Sequence, residues 1–138
     1  MEAWLEAIPG AKQLFDWFGY WPSFHDGVVL GIELSQIGPS KIKVHAFRMT
    51  DAVDAKGFYV CDKHCIVTFV FAEIVDVELS HFNDGNILFD IELTREENAF
   101  VIAFSATYGL EGTIKAKMLS LEMTPGIPTD SKYENTDV

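Results

Sequence analysis

The sequence predicts an α+β fold that is mostly β, an antiparallel meander of about seven strands with a short N-terminal helix packed on it. Three observations predict it. Apolar residues recur at helical spacing only ahead of Gly19. From Val28 onward they alternate with a period of two. No helical pattern separates one strand from the next, which excludes parallel crossovers. Strands at this spacing close as a sandwich or a partly closed barrel.

The helical stretch carries Trp4, Leu5 and Ile8, then Ala11, Leu14, Phe15 and Phe18. Pro9 fits the first turn of a second helical segment, and Gly19 is placed to end it in a left-handed conformation. Pro22 then forbids helix and biases Trp21 toward an extended backbone. Val28, Leu30, Ile32 and Leu34 form one face of a first strand, and Gly38-Pro39 marks a turn. Ile42, Val44 and Ala46 follow, with Lys41, Lys43 and His45 opposite. The stretch from Thr50 to Lys63 reads as a long loop, a type that often carries function, and it presents Asp51, Asp54, Phe58 and Tyr59. His64 to Ala72 is almost wholly apolar, as in a central strand covered on both faces. Later strands centre on Val75–Leu79, Ile87–Leu93, Phe100–Phe104 and Ile114–Met123. Residues 1–123 are expected to form one domain and 124–138 a flexible tail.

A turn at Asn83-Asp84-Gly85 predicts a register. A three-residue loop with Gly85 left-handed places Leu79 opposite Phe89, Val77 opposite Ile91 and Val75 opposite Leu93. The other face then pairs Glu78 with Asp90 and Asp76 with Glu92. Like charges so placed cost about a few tenths of a kcal/mol per pair. A four-residue turn from Thr94 to Glu97 sets Val101 and Ala99 beside Asp90 and Glu92. The expectation is a negative plateau on an open sheet face, neutralised by lysines from the far side, simply solvated, or suited to cationic side chains.

Charge and composition limit the functions available. The 138 residues carry 21 Asp and Glu against 10 Lys and Arg, a formal net charge of −11. Such a balance argues against nucleic acid or anionic lipid as partners and suits a basic protein, or plain solubility. No apolar run approaches a membrane span, and Met1-Glu2-Ala3-Trp4 lacks the basic start of a signal peptide, so a cytoplasmic location is expected. Cys61 and Cys65, with three residues between them, match neither zinc-ribbon nor redox spacing. They are read as buried free thiols, with no metal and no cofactor.

The chemistry-bearing residues support catalysis weakly. His25-Asp26 is the one adjacent His-Asp pair, but neighbouring side chains on an extended chain point apart, and no nucleophile motif accompanies them. A His ordered by a carboxylate at the entry to the first strand is the expected role. Glu78 and Asp90 as an acid–base pair would need a cleft that nothing in the sequence predicts. Trp17, Tyr20 and Trp21 read as core at a helix–sheet junction rather than as a ligand pocket.

Several stretches together resemble a family of bacterial polymorphic-toxin immunity proteins, immunity protein family fifty. They are Phe18-Gly-Tyr-Trp-Pro-Ser-Phe-His-Asp26 running into Val28-Val-Leu-Gly-Ile32, and Ile74-Val-Asp-Val-Glu-Leu-Ser-His-Phe-Asn83. Asn86-Ile-Leu-Phe-Asp-Ile-Glu-Leu93 and Ser105-Ala-Thr-Tyr-Gly-Leu-Glu-Gly112 complete the set. The resemblance implies a non-catalytic antidote that binds and silences a cognate toxin. It carries no catalytic set, so Trp21, Pro22, Phe24, His25, Asp26, Asp84 and Gly85 are expected to be structural. Candidate partner contacts are Asp76, Glu78, Asp90 and Glu92 on the sheet face, and Asp51, Asp54, Phe58 and Tyr59 in the loop. The oligomeric state is left open.

Overall fold

The structure is a computed structural model that describes residues 1–129 and Ser131. Its elements run α1 (Ala3–Glu6), α2 (Ala11–Phe18), β1 (Val28–Glu33), β2 (Ser40–Val53), β3 (Tyr59–Ser80), β4 (Ile87–Glu96), β5 (Ala99–Tyr108) and β6 (Glu111–Pro125). All strand pairs are antiparallel, in the order β1-β2-β3-β6-β5-β4. The ring closes only through Val28 and Ile87, a single pair between β1 and β4. A mostly β, antiparallel fold with short N-terminal helices is therefore what the sequence builds.

Helix α2 turns Ala11, Leu14 and Phe18 inward, and its C-terminus is closed by Gly19 at φ 83°, whose N–H reaches Phe15 O at 2.7 Å. Pro9 stands outside the helix rather than in its first turn, because Gly10 at φ 88° is the N-cap. A Cβ on Gly10 would meet Leu121 O at 1.9 Å, so only glycine lets α2 lie this close to β6. There Leu121 N–H donates to Pro9 O at 2.8 Å. The core joins these helical residues to Ile42, Val44, Val67, Phe69, Phe71, Ile102, Phe104 and Ile114, all nearly or wholly buried.

Several expected elements take a different form. Among the described residues there are six strands, because the stretches expected as two, 64–72 and 75–79, are parts of one 22-residue strand, β3. Glu73 at φ 54° and a slip of register between Ile74 and Asp76 bend it, so that Ile74, Val77 and Leu79 join the same core as Val67, Phe69 and Phe71. That phase break imitates a strand boundary in the sequence. A bulge at Leu30 acts likewise in β1: Val29 is buried and Leu30 and Leu34 are exposed, against the expected face of Val28, Leu30, Ile32 and Leu34.

The long loop expected from Thr50 to Lys63 is instead the end of a hairpin. Strands β2 and β3 continue to Val53 and from Tyr59, closing at a turn where Asp54 Oδ1 accepts the N–H groups of Lys56 (2.8 Å) and Phe58 (3.0 Å). Every residue from Asp51 to Val60 is exposed. A ribbon wet on both faces needs no apolar alternation, so its polar composition imitated a loop.

The expected pairing of β3 with β4 does not occur. Val77 lies opposite Ile114, Glu78 opposite Thr113, Asp76 opposite Lys115, and Leu79 opposite Gly112. Strand β4 pairs with β5 instead, placing Asp90 opposite Ser105 and Glu92 opposite Ala103. Between β3 and β4 the chain makes a wide corner, not a tight hairpin. Asn86 Oδ1 accepts from the N–H groups of Asn83 and Leu110, both at 3.0 Å, and Asn83 Oδ1 accepts from Gly85 N–H at 2.7 Å. Gly85 is not left-handed; His81 is, at φ 63°. A bulge at Phe89 then exposes that side chain, expected opposite Leu79, and turns Leu88 and Ile91 inward. The next turn is a two-residue loop, Glu97-Asn98 between the paired Glu96 and Ala99, so Val101 faces Thr94. Of the expected tail, Thr124 and Pro125 belong to β6, while Asp130 and residues 132–138 lie outside the described residues.

Candidate protein-interaction surfaces

The four sheet-face candidates share the outer side of β4-β5-β6-β3, in an arrangement the expected register did not give. Inward positions there are Ile91, Leu93, Ile102, Phe104, Ile114, Val77 and Leu79. Strand alternation sends Asp90, Glu92, Ala103, Ser105, Thr113, Asp76 and Glu78 outward. One cross-strand row reads Glu92, Ala103, Thr113, Glu78, and the next Thr94, Val101, Lys115, Asp76. Carboxylates expected to face each other directly thus flank a floor of small side chains. Glu92 and Glu78 stand three strand spacings apart, about 14 Å. Lys115 crosses to Glu96 at 3.0 Å. The result is a shallow surface with an acidic rim, carried on a packed core.

The other four candidates sit on the ribbon. Phe58 and Tyr59 are 68% and 60% exposed, beside exposed Val53, Asp51 and Asp54. Tyr59 and Asp76 lie near opposite ends of β3, on the order of 50 Å apart along a bent strand of ~3.3 Å rise per residue. The structure therefore does not bring the two sets together. At the foot of the ribbon, Arg48 clasps Asp62 through Nε (2.8 Å) and an Nη (2.6 Å). The hydrogen bond from Arg48 holds the Asp62 carboxyl below its ordinary range, and Asp62 raises the guanidinium in turn.

His25 and Asp26 do come together, because Phe24 (φ 65°) and Asp26 (φ 63°) are both left-handed and make a turn of a stretch that the sequence pattern presents as extended chain. His25 Nε2 is 3.7 Å from Asp26 Oδ2, its Nδ1 is 2.9 Å from Phe89 O, and its ring meets Phe89 edge-on at 5.5 Å. Asp26 N–H donates to Leu88 O at 2.9 Å and Ile91 N–H to Ser23 O at 3.0 Å, so residues 23–27 are laced along β4. Pro22 and Phe24 are buried, Phe24 against Phe69 at 5.6 Å, and Trp21 is half-buried on the core. Trp17 donates its indole N–H to Lys63 O at 2.8 Å, and Lys63 Nζ lies over its ring at 4.9 Å; Tyr20 is exposed. Asp84 is exposed and Gly85 half-buried in the corner before β4.

Two features escaped sequence reading. His45 and His64 are both buried on the outer side of β2 and β3, joined Nε2 to Nδ1 at 3.0 Å, with Phe47 against both. Burial pushes the His64 pKa down, and burial pushes the Cys65 thiol up to about 12. Cys61 and Cys65 are both buried, as thiols rather than as a disulfide. Among the described residues no three His, Cys, Asp or Glu side chains converge as a metal ion requires, and no helix is long and apolar enough to cross a membrane. The second feature is an edge of β4 at Leu93–Arg95, open among the described residues, beside a groove of about 610 Å³ lined by Glu2, Trp4, Glu97 and residues 92–95.

Comparison with curated proteins and with solved structures gave no match. The profile of the Immunity protein 50 family matches residues 10–125, which include α2, all six strands and the Trp21–Asp26 turn. This chain therefore belongs to the Immunity protein 50 family.

Proposed function

We propose that the protein is a non-catalytic antidote that binds a cognate toxin in the cytoplasm and blocks it sterically. The observation that carries this reading is the family match over residues 10–125. The geometry supports it. The His25-Asp26 pair has Nδ1 engaged by a backbone carbonyl and, among the described residues, no nucleophile aligned with it. Two open grooves, of about 610 and 640 Å³, are lined by charged side chains. A toxin with a basic binding face fits the −11 net charge, since complementary fields speed encounter and disfavour wrong partners. The acidic rim of Asp76, Glu78, Asp90 and Glu92 is the proposed landing face, with Asp51, Asp54, Phe58 and Tyr59 of the ribbon as a secondary contact.

Co-expression with the product of the adjacent gene, taken as the candidate toxin, tests this. The chain should restore growth and co-purify with the toxin at a fixed ratio, without altering it covalently. Failure to co-purify, or a chemically modified toxin after rescue, overturns the reading.

A further inference from the structure

We propose that the toxin is gripped at the open edge of β4, by an extended basic segment that adds to the sheet as a further strand beside Leu93–Arg95. This rests on the toxin-binding reading above and names the place and manner of contact.

The backbone sets the geometry. Ile91 directs its N–H away from β5, to Ser23 O at 3.0 Å. The β4–β5 register is unbroken from Asp90 to Glu96. Alternation therefore sends the N–H and C=O groups of both Leu93 and Arg95 to that same outer side. Residues 23–27 cover the edge only as far as Ile91, and β1 meets β4 only at Val28 and Ile87. Among the described residues, no backbone group beyond β5 bonds to Leu93 or Arg95. Two donors and two acceptors of a strand edge stand in line, the arrangement that peptide strands recognise.

The groove beside this edge fits the same occupant. Consecutive residues of a strand point to opposite faces, so a cavity lined by Glu92, Leu93, Thr94 and Arg95 in succession must run along the backbone edge itself. Its far wall is Glu2 and Trp4, and Trp4 is held by Phe100 at 6.4 Å. The charge selects the partner: Glu2, Glu92 and Glu97 line the groove against one cation, Arg95, which is stacked on Phe100 at 5.3 Å. A second copy of this chain would bring the same carboxylates to the edge and be repelled. A strand bearing Lys or Arg is attracted. Glu92 belongs both to this groove and to the outer row ending at Glu78, so the edge and the acidic face form one continuous surface.

Paired variants at one position separate the backbone from the side chain. Arg95→Ala and Arg95→Pro both remove the guanidinium, but only proline removes the edge N–H, at a site where it is tolerated because that N–H is not part of the β4–β5 ladder. With the product of the adjacent gene, taken as the candidate toxin, the Ala variant should bind within roughly threefold of the parent and the Pro variant more than about tenfold more weakly, the loss of a buried hydrogen bond and of strand approach. Equal affinities overturn the proposal. Hydrogen exchange on the unmutated chain gives a second readout that does not depend on the Pro variant folding. The Leu93 and Arg95 amides should exchange freely alone and slow at least tenfold in the complex. A complex that forms with these amides unprotected overturns the strand addition while leaving the antidote reading intact. Protection that appears in the free protein on concentration assigns the edge to a second copy and overturns it too. Absence of any complex with the parent chain refutes the antidote reading itself.

Discussion

The ribbon formed by the ends of β2 and β3 and the four-stranded face of β4-β5-β6-β3 both carry exposed carboxylates, yet only one is backed by the packed core. From Asp51 to Val60 every residue is exposed, and among the described residues these ends of β2 and β3 pair only with each other. On the four-stranded face every outward carboxylate is anchored by an inward neighbour: Glu78 by Val77 and Leu79, Glu92 by Ile91 and Leu93. Ordering a loose ribbon on binding costs conformational entropy that a face on a packed core has already lost in folding. A partner of the four-stranded face would meet side chains already ordered by the core, which is what favours it as the proposed landing face.

The sharpest way to break this contrast uses a single strand. Phe69 is fully buried and touches both Phe24 and Phe104, whereas Tyr59 lies ten residues earlier on β3 in the open. Phe69→Ala should cost about 3–5 kcal/mol in urea unfolding, and Tyr59→Ala within about 0.5 kcal/mol of nothing. A costly Tyr59→Ala would mean the ribbon is part of the core after all.

Glycines give the next contrast. Gly112 sits at φ 133° where a Cβ would meet Glu78 O at 1.9 Å, while Gly57 at φ 87° has nothing within 4 Å. Gly112→Ala should destabilise by roughly 2–3 kcal/mol, and Gly57→Ala by about 1 kcal/mol from backbone strain alone. Thermal melts of the two variants check the ranking.

Charge reversal carries the comparison to function. Glu78→Lys with Asp90→Lys should weaken the proposed toxin complex about tenfold, or ~1.4 kcal/mol, and flatten its salt dependence. Asp51→Lys with Phe58→Ala should change affinity by less than about threefold, as contacts at a rim do. The reverse ranking in calorimetry would move the landing site to the ribbon.

Smaller effects belong to the His45–His64 pair and to Cys65. Burial lowers the folded-state pKa of His64 from its ordinary 6.5, so the unfolded chain binds protons first as pH falls. Its contribution to stability is complete above pH 6.5 and is lost as acid is added from there downward. His64→Phe should flatten that part of the pH–stability curve. With the Cys65 thiol pushed up to about 12, a thiol reagent at pH 8 should leave it unlabelled until denaturant is added, its thiolate fraction being about one in ten thousand.

Sequence reading recovered the chemistry of each strand better than its partner. Val67, Phe69 and Phe71 announce a central strand by composition, and Leu14 and Phe18 announce a buried helix face. Pairing across a turn is another matter. Asn83-Asp84-Gly85 has the composition of a hairpin, but Asn86 spends its carboxamide on Leu110, 24 residues away, and carries β4 off to β5. Nothing local to residues 80–90 encodes that bond. Bulges at Leu30, Val75 and Phe89 each add one residue and reverse the facing of the strand beyond them. An alternation read straight through them therefore puts Leu30 and Phe89 inside and Val29 outside. The carboxylates were found on one face all the same, since Asp76 and Glu78, like Asp90 and Glu92, keep their phase within unbroken runs. The open edge at Leu93–Arg95 was invisible because an edge is defined by which strand is missing.

Strand β3 finds its longest partner in the last strand of the chain, from Cys65 against Pro125 to Ser80 against Glu111. On a ribosome, half of the sheet must therefore wait, its apolar side uncovered, until residue 125 has left the exit tunnel. Nascent chains stalled before Glu111 should be cut readily by protease, and those released beyond Pro125 should resist. A chain assembled this way presents no half-built sheet face to a partner, so in the proposed antidote role only finished copies would protect the cell.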